Sequence, residues 1–250
     1  MLRRRLLTIA LLAAFVGAWQ LAASFVDKLV LSSPVETVQA LGNNASLLID
    51  NARVTFEEAL LGLALSLLVG VAAALLMHAS RSLRDAAYPL LIASQAIPIL
   101  VVAPLLVLAF DYGIRPKIVI VALVCFFPIT VNLVDGLRAT DPELRKLMRS
   151  LGASRRQTLS KVELPAALPH LFSGLRVAAT VSVIGAVFGE WAGADNGLGH
   201  LVLIDTQQLE TPRVYAGTLV LTLMALAMFA LVTLFERAAI PWNRRQVGAA

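Results

Sequence analysis

Cys125 and the three histidines, His78, His170 and His200, are the side chains best suited to hold a metal or attack an electrophile. Their arrangement supports neither. No two histidines stand at the HxxxH or HExxH spacing that sets imidazoles on one helix face. A lone cysteine inside an apolar run forms no internal disulfide, and a zinc site needs several ligands. Cys125 therefore reads as a small buried hydrophobe. No Gly-Lys dipeptide occurs in the chain, so there is no Walker A loop to cradle a nucleotide's phosphates. Among the few polar residues inside apolar runs, Gln95, Asn132 and Glu190 stand out. Together with Pro98 they are candidates for lining or gating a polar pathway. The alternatives are interhelical hydrogen bonding for Gln95 and Asn132, and a plain helix-end charge for Glu190.

The elements that must position these residues follow from composition. Of the 250 residues, 58% are hydrophobic and 15% charged, against roughly 45–50% and 25% in a soluble domain. The excess falls in runs near the roughly 20 residues that cross a bilayer as a helix. Six spans are expected, at about 6–26, 58–77, 88–110, 118–137, 171–191 and 214–240. The fold class is an all-α membrane protein, a single transmembrane domain over residues 1–250. The first run exceeds the 7–15 residues of a signal-peptide core, so a retained helix is expected.

Orientation follows from Lys and Arg. With the N-terminus inside, fifteen of the 21 fall on inner segments: Arg3, Arg4, Arg5, Arg81 and Arg84, seven from Arg138 to Lys161, then Arg237, Arg244 and Arg245. Five, Lys28, Arg53, Arg115, Lys117 and Arg213, fall outside, and Arg176 lies within a span. The bias places both termini in the cytoplasm. It also accounts for the net charge of +5 without a nucleic-acid partner.

Small residues recur every fourth position at Gly62, Ser66, Gly70 and Ala74, and again at Gly185, Gly189 and Gly193. Residues four apart share a helix face, and small side chains let backbones approach closely in lipid. Each stripe predicts a tight helix contact, with a pore wall as the alternative. Pro98, Pro104 and Pro128 each remove a backbone hydrogen bond, so bends around a pathway are expected in the third and fourth spans.

The one long charged interruption is DPELRKLMRSLGASRRQTLSKVELP, residues 141–165, between the fourth and fifth spans. Asp141 can cap a helix whose first position suits Pro142. Leu144, Leu147, Met148 and Leu151 recur at helical spacing, and Gly152 can end the helix in a left-handed conformation. Ser154 and Gln157 form an S-x-x-Q capping box for a second short helix, with Pro165 just past its end. Two cytoplasmic helices meeting at a glycine corner, one with an apolar face, predict an element that docks in a groove of another protein.

This loop resembles that of the permease subunits of bacterial type I ABC importers, with its pattern EAA, three residues, G, nine residues, I-x-L-P. Gly152, Val162, Leu164 and Pro165 match at that spacing, whereas Lys146, Leu147 and Met148 stand where EAA is expected. Ile97-Pro98, Ala103-Pro104-Leu105, Phe127-Pro128-Ile129 with Asn132 and Gly136, and Glu190 with Gly197-Leu198-Gly199 resemble the branch for sulfonates, taurine, nitrate and pyrimidine precursors. The likeness spans about residues 51–241. It implies a permease homodimer in a bacterial inner membrane, cytoplasmic ABC ATPases that use the ATP, an extracellular or periplasmic solute-binding protein, and no cofactor held by this chain. It also implies that Leu147, Met148, Leu151, Gly152, Ala153, Ser154, Val162, Leu164 and Pro165 form the ATPase-coupling loop. Ser94 to Pro98 and Leu147 to Ser150 look most like permeases for thiamine precursors or riboflavin. An ion-gradient-driven secondary transporter remains the alternative; it would place ionisable residues at the midplane. A membrane enzyme would need clustered nucleophiles, bases or metal ligands.

Overall fold

The computed structural model describes residues 2–242, with side chains from residue 6 onward. The side chains of Arg3, Arg4 and Arg5, and the whole of Arg244 and Arg245, lie outside the described residues. Every regular element described is helical: α1 (Leu2–Ala23), α2 (Pro34–Asn43), α3 (Ala45–Ala79), α4 (Arg81–Ser94), α5 (Ile99–Phe110), α6 (Ile114–Arg138), α7 (Pro142–Ser150), α8 (Arg155–Thr158), α9 (Leu164–Gly193), α10 (Leu198–Gln207) and α11 (Thr211–Ala239). A π-helical turn, Leu159–Glu163, joins α8 to α9.

Five helical stretches are long and apolar enough to cross a membrane: Leu6–Ala23, Ala45–Ala79, Ile114–Arg138, Arg155–Gly193 and Thr211–Ala239. The expected third span departs from a single helix. It is the pair α4 and α5, bent by 100° at residues 95–98, and makes a sixth span only if the two are counted together. The break has a local cause. Pro98 has no N–H and pushes Ile97 out of the helical region. The chain tightens before it through Gln95 N–H to Ile92 C=O (3.1 Å) and Ala96 N–H to Ala93 C=O (3.0 Å). Pro104 and Pro128 stay inside α5 and α6.

The chain divides into two compact units, one of residues up to 55 with 195–223, the other of 56–194 with the chain from 224. In the first, Ser33 caps α2 in a reciprocal box with Glu36. Lys28 lies 2.9 Å from Glu36 and, with Ser33, holds its carboxyl down to about 2. The N-terminus of α10 has no cap of its own. Asn51 Oδ1 and Thr55 Oγ1 of α3 accept the Gly197 and Leu198 N–H groups, each at 2.8 Å. The fully buried Asp205 pairs with Arg213 at 2.5 Å.

In the second unit α6 and α9 pair closely, and the glycines explain it. A Cβ on Gly185 would stand 3.0 Å from Val121 Cα, and one on Gly189 3.2 Å from Lys117 Cα. On α3, Gly62 abuts Val121 and Gly70 abuts Ile129 and Thr130. Both small-residue stripes therefore pack helices together within this unit. Arg176 of α9 pairs with Glu236 of α11 at 2.9 Å.

Candidate functional site

The charged interruption folds as an elbow. Asp141 Oδ1 accepts the Glu143 N–H at 2.8 Å, and Pro142 opens α7. Gly152 N–H donates to Arg149 C=O at 3.0 Å and Ala153 N–H to Met148 C=O at 2.9 Å. That pair is a Schellman ending, and it requires the φ of +74° seen at Gly152. No atom lies within 4 Å of where its Cβ would be, so the requirement is conformational. Ser154 and Gln157 cap α8 reciprocally, with Ser154 N–H donating to Gln157 Oε1 at 2.7 Å.

The second helix of the elbow does not end before Pro165. It runs through the π-turn into α9, with Pro165 at the start of that helix. The wider turn, in which Leu164 N–H reaches back to Leu159 C=O, relieves the clash between a proline ring and the carbonyl four residues earlier. The α8 arm of the elbow is therefore the first turn of a 39-residue helical stretch, Arg155–Gly193.

Its residues divide by exposure. Leu144, Leu147 and Leu151 are 45%, 54% and 72% exposed. Met148, Ala153 and Val162 are half-buried. Leu159 and Leu164 pack against a core of Ala74, Met77, Leu133 and Leu137. Beneath the elbow the buried Glu163 receives His78 at 2.9 Å and an ion pair from Arg145 at 2.8 Å, too bent for a hydrogen bond. Arg145 Nη2 donates to Leu137 C=O at 2.6 Å, and Arg155 Nη2 to Ala79 C=O at 2.9 Å. These bonds tie α7 and α8 to the ends of α3 and α6, around a cavity of about 420 Å3. Glu163, His78, Arg145 and Arg155 were not legible as a group, since His78 lies 85 residues from its partner.

The structure does not bring Gln95, Pro98, Asn132 and Glu190 into one site. Gln95 and Pro98 flank the α4–α5 break. Asn132 Nδ2 donates to Pro128 C=O in its own helix at 2.7 Å, against Gly174. Glu190 is buried with Glu58 and Lys117; the ammonium lies 2.6 Å from Glu58 Oε1 and the Glu190 carboxyl lies against Glu58. Lys117, expected outside the spans, is thus a buried residue of α6. Its partners come from α3 and α9, 59 residues before it for Glu58, and no local signal joins them.

The described residues thus form helices of membrane-spanning length, with α7 and α8 between α6 and α9. The chain belongs to the family of binding-protein-dependent transport system inner membrane components, matching its model over residues 66–241. It is 36% identical to the formylaminopyrimidine transport permease protein ThiX of Halalkalibacterium halodurans, over 91% of this chain and 92% of that one. It is 29% identical to the putative aliphatic sulfonates transport permease protein SsuC of Bacillus subtilis, over 94% and 87%. The fold matches the inward-facing MetNI methionine ABC transporter with a TM-score of 0.67 at 18% identity, over 78% of this chain and 96% of that one. The chain is accordingly a multi-pass inner-membrane permease of the ABC importer class, rather than an ion-gradient transporter.

Proposed function

We propose that this permease is driven through its α7–α8 elbow by separate cytoplasmic ABC ATPases. The elbow and both termini face the cytoplasm, two copies of the chain form the solute pathway, and an extracellular or periplasmic binding protein delivers the solute. The chain binds no cofactor, and ATP is hydrolysed only in the partner, in keeping with the lack of any Gly-Lys dipeptide. The solute class is a small molecule of the pyrimidine-precursor, sulfonate or nitrate kind. One observation carries the reading: exposed Leu147 and Leu151 stand on an elbow that a buried Glu163 fastens to the spanning helices. Apolar knobs on a rigid lever fit a groove in a moving partner. Lys146, in the place of the EAA glutamate, bonds Glu143 of its own helix at 2.8 Å, so the apolar residues carry the docking.

Burying each leucine is worth about 1.5–3 kcal/mol. The double change Leu147→Asp, Leu151→Asp should therefore weaken ATPase association by about a hundredfold or more, with membrane insertion unchanged. Co-purification of the ATPase with the permease reads this directly, and undiminished recovery speaks against docking here.

A further inference from the structure

A cavity of about 690 Å3 lies within the second unit between α3, α4, α5 and α6, at the 100° break. Small-molecule sites run from roughly 300 to 1,000 Å3. Leu76, Leu90, Val102 and Phe126 are among its apolar walls, and no lining residue carries a formal charge. Its polar side chains are Ser94 and Gln95. Ser94 Oγ already donates to Leu91 C=O at 2.7 Å. The Gln95 carboxamide has no hydrogen-bond partner among the described residues. The first N–H groups of α5 also lack a side-chain cap. Lipid tails offer no hydrogen bonds, so irregular backbone at membrane depth has to line water, protein or a bound polar molecule.

We propose that this cavity holds the transported solute inside the permease, and that the solute is an uncharged flat heteroaromatic whose adjacent amino group and ring nitrogen pair with the Gln95 carboxamide. The inference rests on the importer reading and narrows its solute class. A carboxamide presents a donor and an acceptor side by side, the pattern that reads an amino group next to a ring nitrogen in adenine. The apolar walls take the ring faces. A sulfonate or nitrate finds no cation here, and an unpaired anion is strongly disfavoured against apolar walls. Gln95 becomes a specificity-determining residue.

The test uses the full chain in nanodiscs with Cys125→Ala and a labelling cysteine at Leu90, 70% exposed on the cavity wall. A second version carries Val102→Cys should the first fold poorly. With 4-aminopyrimidine at about ten times its dissociation constant, maleimide labelling should slow about tenfold. Ethanesulfonate should leave the rate unchanged, and Gln95→Leu should weaken the aminopyrimidine's protection about two- to tenfold. Equal protection by ethanesulfonate, full protection surviving Gln95→Leu, or no protection by soluble 4-aminopyrimidine overturns the proposal. So does a thiol blocked by lipid in nanodiscs but open in detergent, or one that cross-links copy to copy. ATP-driven uptake assayed alongside separates the two readings. ATP dependence retained with protection absent sinks the cavity assignment alone, whereas lost ATP dependence sinks the importer reading.

Discussion

Gly152→Val is expected to uncouple ATP hydrolysis from transport while the helix bundle inserts and assembles normally. Gly152 sits at φ +74°, where a β-branched residue is a strained outlier. Such strain costs about 1–3 kcal/mol, enough to shift the corner to another conformation by about five- to a hundredfold. Open space surrounds the position, so the damage is confined to the angle between α7 and α8. That angle sets where Leu147 and Leu151 stand relative to α9. Uptake into vesicles with the ATPase present should fall by about tenfold or more at unchanged permease content. Gly152→Asn should retain most activity, because asparagine tolerates the left-handed region. Equal uptake by Gly152→Val and the parent would show that the corner's conformation does not matter.

Lys117→Met is expected to be the most damaging single change in the helix core. The ammonium is the counter-ion, at 2.6 Å, of a Glu58 whose side chain is 1% exposed, and Glu190 lies in the same cluster. Removing one partner of a buried ion pair costs about 3–5 kcal/mol, since the remaining charge is stranded. The thermal midpoint in detergent should drop sharply, and adding Glu58→Gln should recover part of it. Gly189 brings α9 onto Lys117 at this point, so loosening of α6 from α9 should accompany the loss. An unchanged midpoint would remove the cluster from the structural account.

What was readable in the chain was local. The caps at Asp141 and Ser154, the stop at Gly152 and the small-residue stripes are short-range signals, because caps and helix faces involve residues within four positions. Long-range pairing left no such mark. Glu163 meets His78 across 85 residues and Lys117 meets Glu58 across 59, and nothing in either neighbourhood specifies the partner. Lys117 read as an outer-loop charge because hydropathy cannot see a counter-ion on another helix. Proline was ambiguous for a similar reason. Pro98, Pro104 and Pro128 look alike in sequence, yet one starts a new helix and two stay inside theirs. Pro165, which reads as a terminator, begins α9 because the π-turn before it absorbs the missing N–H.

The most direct measurement is solute accumulation in vesicles holding this permease and its binding protein, with and without the ATPase and ATP. Accumulation should require both, and should vanish with Leu147→Asp, Leu151→Asp although the permease remains inserted. Uphill accumulation powered by an ion gradient in vesicles lacking the ATPase would contradict the elbow's role as the route by which work enters the membrane.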